Sequence, residues 1–124
     1  PGPIQMASAE VWADEAHVDA SRAVYMEKFA MADRILGNME GYRPPEAGFF
    51  LWLDVSARHG DGEAATLKLW RETGVRVLPG AYLSRPSPDW LGGGDPGARY
   101  VRIALVERPE DVERGLTLIR DCLG

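Results

Sequence analysis

Arg102 interrupts an otherwise apolar stretch, residues 100–106, which reads YVRIALV. Side chains alternate along a strand, so Val101, Ile103 and Leu105 share one face while Arg102 lies on the other. A guanidinium held there needs an anionic or hydrogen-bonding partner, because an unpaired buried charge costs several kcal/mol. Its planar fork of donors matches a carboxylate in a two-bond geometry. Arg102 is therefore a candidate clamp for the carboxylate of a ligand.

Two plainer interpretations of Arg102 remain open from the strand alone. The guanidinium can pair with an acidic side chain of the same domain, which would make it a structural residue. Alternatively, the strand can lie at the edge of its sheet, with the head of the arginine in solvent.

Other reactive residue types form weaker patterns. His17 and His59 have no second histidine at ligand spacing, so both are interpreted as surface or packing residues. Cys122 is the one cysteine, which excludes an internal disulfide, and its helical setting favours a packing role. Asp54 ends an apolar strand, where a turn-forming role is favoured over acid–base chemistry. Residues 92–94, all glycine, lack the Lys-Ser/Thr of a phosphate loop and are interpreted as a flexible segment.

The composition limits the class of protein. With 124 residues, of which 45% are hydrophobic and 27% charged, the chain is globular and forms one domain or a small domain with an appended element. A net charge of −5 without a long basic run argues against non-specific binding to nucleic acid or to an anionic membrane. No apolar run approaches the roughly 18 residues of a membrane span. We expect a cytoplasmic protein, and an opening Pro-Gly-Pro without initiator Met or signal segment suggests a piece of a larger polypeptide.

The N-terminal third predicts one long helix over residues 5–36, since it lacks internal Pro and Gly and ends near Gly37 or Gly41. At about 45 Å such a helix either kinks or spans two bodies. Its Met and aromatic residues are interpreted as core. The apolar positions at helical spacing are Val11, Val18, Tyr25, Phe29, Ala32 and Leu36, and the Met and aromatic set is Met26, Phe29 and Met39.

The remainder predicts a βαββα layer. Residues 49–55 form a strand covered on both faces or nearly so, and Asp61 caps a helix ending at Thr73. A short strand over residues 75–78, a loop over 86–97 and a third strand over 99–106 follow. In the second helix we expect Ala64, Leu67 and Trp70 on one side, and in the last, begun by Pro109, an apolar stripe of Val112, Leu116, Ile119 and Leu123.

The predicted fold class is thus α+β, with a small sheet whose helices cover one face. We divide the chain into residues 1–37, a long helix between domains, and residues 38–124, a small C-terminal domain. No repeat occurs, and no single site combines a nucleophile, a base and an oxyanion donor.

Four segments together resemble one enzyme family. Residues 74–80 (GVRVLPG) and 100–105 (YVRIAL) resemble the C-terminal region of class I/II aminotransferases, which are fold type I enzymes dependent on pyridoxal phosphate (PLP). Residues 45–54 (PEAGFFLWLD) resemble the first strand of their small domain. Residues 3–9 (PIQMASA) resemble the opening of the helix that joins their two domains.

The resemblance assigns roles to individual residues. Arg102 matches the arginine that grips the α-carboxylate of the substrate in that family. Pro79, Gly80 and Tyr82 match the loop that lines the entrance of the active site. The whole enzyme would transfer an amino group from an amino acid to a 2-oxo acid, as a homodimer in amino-acid biosynthesis. Residues 12–18 and 22–25 resemble bacterial succinyldiaminopimelate aminotransferases in particular.

The chain also departs from that family. Members bind PLP through a lysine, usually in a Ser-x-x-Lys context, whereas Lys28 and Lys68 follow Tyr25 and Ala65 at that spacing. The large-domain groups that hold the cofactor are absent as well. We therefore expect no catalytic residue in this chain, no covalent PLP and no activity without an N-terminal large domain. Two alternatives stay open: a stand-alone amino-acid-binding regulatory module and a purely structural or dimerising domain.

Overall fold

A three-stranded antiparallel sheet with helices on one face forms the body of the molecule. The structure is a computed structural model that describes all 124 residues. The strands lie in the order β1-β3-β2, so β3 is central, and the predicted α+β class is confirmed. The elements are α1 (Gly2–Ala13), α2 (Ala16–Leu36), β1 (Phe50–Asp54), α3 (Ser56–His59), α4 (Gly62–Thr73), β2 (Leu78–Pro79), β3 (Tyr100–Ala104) and α5 (Pro109–Leu123).

The core lies between the sheet and the helices α2, α4 and α5. Alternation along β1 and β3 directs Leu51, Leu53, Val101 and Ile103 to this side. Burial of each such side chain contributes about 1.5–3 kcal/mol to stability. The predicted apolar stripe of α5 is confirmed, since all four of its members are buried. The buried core comprises Ala32, Ile35, Leu36, Leu51, Leu53, Val55, Ala65, Leu69, Val101, Ile103, Leu105, Val112, Leu116, Ile119 and Leu123.

The helix predicted over residues 5–36 is divided in two, because the chain breaks between α1 and α2; the break agrees with the kink expected for a helix of that length. At the break the Asp14 carboxylate accepts a hydrogen bond of 3.0 Å from the backbone N–H of Ala16, and this local bond competes with the helical pattern. Helix α1 buries no side chain, and Val11 is exposed. Met26, predicted in the core, is also exposed, whereas the C-terminal half of α2 packs in the same core as the sheet.

The sheet is covered on one face only, so the prediction of two covered faces for residues 49–55 is wrong. Trp52 points away from the helices and is 42% exposed. The strand predicted over 75–78 is shorter and shifted, since β2 contains only Leu78 and Pro79. Pro79 lacks a backbone N–H, which an edge strand tolerates.

Helix α4 buries a different side from the predicted one. Gly62, Ala65 and Leu69 face the core, while Leu67 and Trp70 are exposed. Gly62 must be small, because a Cβ there would lie 2.1 Å from the carbonyl oxygen of Tyr100. The predicted ends of the helix are confirmed. The Asp61 carboxylate accepts from the N–H of Ala64 at 2.8 Å, and Gly74 terminates the helix at a φ of 75°.

The loop before β3 is more structured than predicted. It contains a short 3-10 turn over Asp89–Leu91, followed by glycines 92–94 with φ values of 102°, 64° and 74°. These left-handed conformations account for the glycine run, because other residues adopt them at a cost. None of the helices is both long and apolar enough to cross a lipid bilayer.

Candidate functional site

Arg102 lies at the centre of the uncovered sheet face. In the register of the sheet it stands opposite Trp52 of β1 on one side and Leu78 of β2 on the other. Because β3 is the central strand, Arg102 is not an edge residue. It is partly buried, and its guanidinium carbon lies 4.1 Å from the centroid of the Phe50 ring.

Arg102 forms no ion pair and no side-chain hydrogen bond within the chain, and its strand does not lie at an edge of the sheet. Its neighbour Arg99 shows the contrast. Arg99 contacts Asp54, with 2.6 Å between a guanidinium nitrogen and a carboxylate oxygen. The five N–H donors of Arg102 are therefore available to a ligand, whereas Arg99 is held in a structural pair.

Asp54 forms a turn, as the sequence analysis favoured. Its carboxylate accepts hydrogen bonds from the backbone N–H and the hydroxyl of Ser56, at 3.0 and 2.7 Å. Burial of the Asp54 carboxyl raises its pKa, but the bonds from Ser56 and the pairing with Arg99 outweigh burial and hold the pKa below its ordinary value. A carboxylate that stays ionised in this way is poorly suited to accept and return protons near neutral pH.

Aromatic side chains surround Arg102 on the same face. Trp52 and Tyr100 meet edge to face, with ring centroids 6.3 Å apart at an angle of 86°. Both rings line a cleft of about 300 Å³ together with Arg43, Pro44 and Pro45. The face thus combines apolar rings with two guanidinium groups that form no ion pair, that of Arg102 and that of Arg43, which lines the cleft.

The predicted loop residues lie beside the strand that carries Arg102. Pro79 pairs with Val101, the residue before Arg102, and both Pro79 and Gly80 are buried. A Cβ on Gly80 would collide with the carbonyl oxygen of Gly97, so a glycine is needed where the two loops meet. Tyr82, by contrast, is 66% exposed and forms no aromatic pair within the chain. The roles of these three residues towards a ligand stay predictions.

Both lysines are engaged by backbone carbonyls. Lys28 is buried, and its Nζ donates to the oxygens of Leu105 and Glu107 at 2.7 and 2.6 Å. The Nζ of Lys68 donates to the oxygen of Cys122 at 3.1 Å. Neither amine lies free on the face of Arg102.

The remaining reactive side chains have structural surroundings. His59 Nε2 lies 3.0 Å from the carbonyl oxygen of Leu123, which agrees with a packing role. His17 is exposed beside Asp14. Burial, and a hydrogen bond of 3.3 Å to Glu72, raise the pKa of the Cys122 thiol, which opposes nucleophilic reactivity.

Another cleft lies away from Arg102. It has a volume of about 420 Å³ and lies between α5 and the segment that follows α4. Of its acidic residues, Asp111 is paired with Arg108 and Arg114, each at 3.1 Å. Arg76 and Glu107 also line this cleft and form no ion pair.

Sequence reasoning found Arg102 but missed Phe50 and Trp52, the side chains that frame it. Both were interpreted as buried strand residues because residues 49–53 are all apolar. The signal that could have found them is the alternation of side chains along a strand, which has a period of two residues. It places residues 50, 52 and 54 on one face, which becomes the face of Arg102 once β1 and β3 pair antiparallel.

The chain is similar to parts of a transaminase and of solved aminotransferases. No family model matches the chain. The chain is 29% identical over 117 residues to the 4-dedimethylamino-4-oxo-anhydrotetracycline transaminase OxyQ of Streptomyces rimosus, covering 90% of this chain and 28% of that protein. Among solved structures, an aminotransferase from Neisseria meningitidis is 36% identical, with a TM-score of 0.87 over 98% of this chain.

More distant structures share the fold. An aromatic aminotransferase from Pyrococcus horikoshii superimposes with a TM-score of 0.78 at 21% identity, over 95% of this chain. In each comparison the match is a part of a larger protein. The chain spans about 30% of the two solved structures and 28% of the Streptomyces relative.

Proposed function

We propose that this chain, which has the sequence and fold of an aminotransferase C-terminal domain, holds the substrate of a PLP-dependent aminotransferase through Arg102. The whole enzyme would move an amino group between an amino acid and a 2-oxo acid, and PLP would supply the electron sink when bound. Arg102 would hold the α-carboxylate of either substrate. A large N-terminal domain and a homodimer are parts of the same proposal.

The observation that carries the proposal is the unpaired guanidinium on the uncovered face. A planar, permanently charged donor fork matches a carboxylate in two parallel bonds. Asp54, on the same face of β1 as Phe50 and Trp52, is paired with Arg99. Held by two bonds, a substrate has one orientation for its Cα, which is a positioning contribution to the reaction.

The proposal assigns no catalytic residue to this chain. Lys28 and Lys68 both donate to backbone carbonyls, which supports placing the cofactor-binding lysine in the large domain. On this proposal residues 1–37 join the two domains, while Pro79, Gly80 and Tyr82 line the entrance of the site. The 124-residue chain alone is expected to be inactive. From the resemblance of residues 12–18 and 22–25, we propose that the substrate is succinyldiaminopimelate, in lysine biosynthesis.

The test is Arg102→Lys in the full-length polypeptide that contains this chain. Lysine keeps the charge but loses the two-bond geometry, so we expect the KM for the amino donor to rise about 10- to 100-fold while PLP still binds. Arg76→Lys is the matched control, since Arg76 also lies over a ring, 4.5 Å from the Trp70 centroid, but is in the segment between α4 and β2, against α4. An unchanged KM in the Arg102 variant would refute the role.

Calorimetry on the 124-residue chain checks the alternative. The proposal expects no heat when a free amino acid is added, because the large domain completes the pocket. A saturable heat signal would instead favour a stand-alone amino-acid-binding module.

A further inference from the structure

We propose that Phe50 is a positioning residue for Arg102. Its ring fixes the plane of the guanidinium, so that the donor fork is already oriented when a carboxylate arrives. This inference rests on the proposed function of Arg102 and deepens it by identifying what orients the carboxylate clamp.

The guanidinium of Arg102 lies over the ring of Phe50, as in a cation–π contact. The guanidinium carbon of Arg102 lies 4.1 Å from the Phe50 centroid, well within the roughly 6 Å over which such pairs attract. All N–H donors of a guanidinium lie in its plane, so a ring that covers one flat side uses none of them. Phe50 can therefore restrain Arg102 without competing with a bound carboxylate.

The ring of Phe50 is itself supported by a second and a third ring. The centroid of Phe49 lies 4.3 Å from that of Phe50, and Tyr25 of α2 lies 5.8 Å from Phe49. The ammonium of Lys28 lies 5.0 Å from the Tyr25 ring and is bonded to the carbonyl of Leu105. A row of contacts thus connects α2 to the guanidinium, which limits the freedom of the Phe50 ring.

A role in core packing does not account for Phe50. The side chains of β1 that enter the core are Leu51 and Leu53, and Phe50 is on the opposite face. The core cluster and the partly buried side chains packed against it do not include Phe50. Its contact with Arg102 can therefore be removed without opening a cavity in the core.

Kinetics of the full-length protein test the inference through Phe50→Leu, which removes the ring, and Phe50→Tyr, which keeps it. We expect the leucine variant to raise the KM for the amino donor about three- to tenfold, with kcat changed less than twofold, because the stack contributes to holding the carboxylate. The tyrosine variant should stay within twofold of wild type in both constants. A KM as in wild type for Phe50→Leu overturns the inference, as does an equal rise in both variants.

The stack has a spectroscopic signature that needs no enzyme activity. In the NMR spectrum of the ¹⁵N-labelled 124-residue chain, the Arg102 Nε–H resonance, assigned by its loss in Arg102→Lys, should carry a ring-current shift. Phe50→Leu should move it towards the free-arginine position and Phe50→Tyr should not. If Phe50→Leu does not fold, Phe50→Met provides the same comparison.

The two experiments separate the possible failures. If Arg102→Lys leaves the KM unchanged, the proposed function fails, whatever the resonance shows. If Arg102→Lys raises the KM but Phe50→Leu changes neither the KM nor the resonance, the proposed function stands and the positioning role of Phe50 is refuted.

Discussion

Lys28, the buried lysine of α2, allows a test of what holds the end of β3, the strand that carries Arg102, in place. Lys28 is 4% exposed and donates to two carbonyl oxygens just after β3, those of Leu105 and Glu107. The substitution Lys28→Met keeps the unbranched apolar stem but removes both bonds. We expect the 124-residue chain to lose stability, because the strand end that follows Arg102 is no longer tied to α2.

The magnitude follows from the surroundings of the two carbonyls. The Leu105 carbonyl is buried, and leaving it without a donor costs about 1–3 kcal/mol. The Glu107 carbonyl is only partly buried, so water can replace the lysine there at small cost. Removing a buried ammonium also recovers part of its desolvation penalty. The net loss in the free energy of unfolding should be about 2 kcal/mol.

Urea unfolding followed by circular dichroism measures this loss. With a slope of about 2 kcal/mol per molar urea, the midpoint should fall by about 1 M. Lys68→Met is the matched control, because Lys68 donates a single, partly buried bond, to the carbonyl of Cys122, and should cost less than about 1 kcal/mol. A Lys28→Met chain as stable as wild type would refute the reasoning, since desolvation would then outweigh the two hydrogen bonds.

Two further predictions concern the frame around the site. Asp54→Asn should destabilise the chain at pH 7 by about 1–2 kcal/mol, through loss of charge-assisted bonds. The pKa of Asp54 is lower in the folded state than its ordinary value of 3.8. The contribution of the Asp54 carboxylate to the free energy of unfolding is therefore complete above pH 3.8 and is lost as the pH falls through the lowered pKa. The urea midpoints of the variant and the wild type should therefore converge in acid. Gly62→Ala should destabilise the chain, because its Cβ would lie 2.1 Å from the carbonyl oxygen of Tyr100. Gly115→Ala in α5 should instead raise the melting temperature, because a Cβ there meets nothing within 4 Å and alanine adds about 0.5–1 kcal/mol of stability in a helix. Equal effects of the two alanines, or a constant Asp54→Asn difference at all pH values, would contradict these expectations.

The sequence predicted the layer order and the position of Arg102 because both follow from periodic patterns. The sequence predicted the wrong buried side of α4, because the apolar residues of this helix can form two different stripes along it. The larger residues, Leu67 and Trp70, lie on the exposed stripe. The buried stripe is chosen by close backbone approach, which requires Gly62 and which hydrophobicity does not encode.

The position of the break in the first helix and the surroundings of Arg102 escaped prediction for different reasons. The break depends on one local side-chain bond, from Ala16 to Asp14, in a segment whose propensities all favour helix. The environment of Arg102 depends on which strand lies beside β3 and in what register. Pairing between residues about 50 positions apart is a property of the tertiary fold, so the contact between Phe50 and Arg102 became visible only in the structure.

The alternation along β3 has a consequence for how such a domain can evolve. Val101 and Ile103 enter the core, whereas Tyr100, Arg102 and Ala104 point to the open face. Mutations at the inward positions are filtered by whether the domain folds. On the proposed function, mutations at the outward positions would be filtered by what the domain recognises, so that two selective pressures would act on alternate codons of one short strand. Substrate preference could then change on the open face while the core beneath it is preserved.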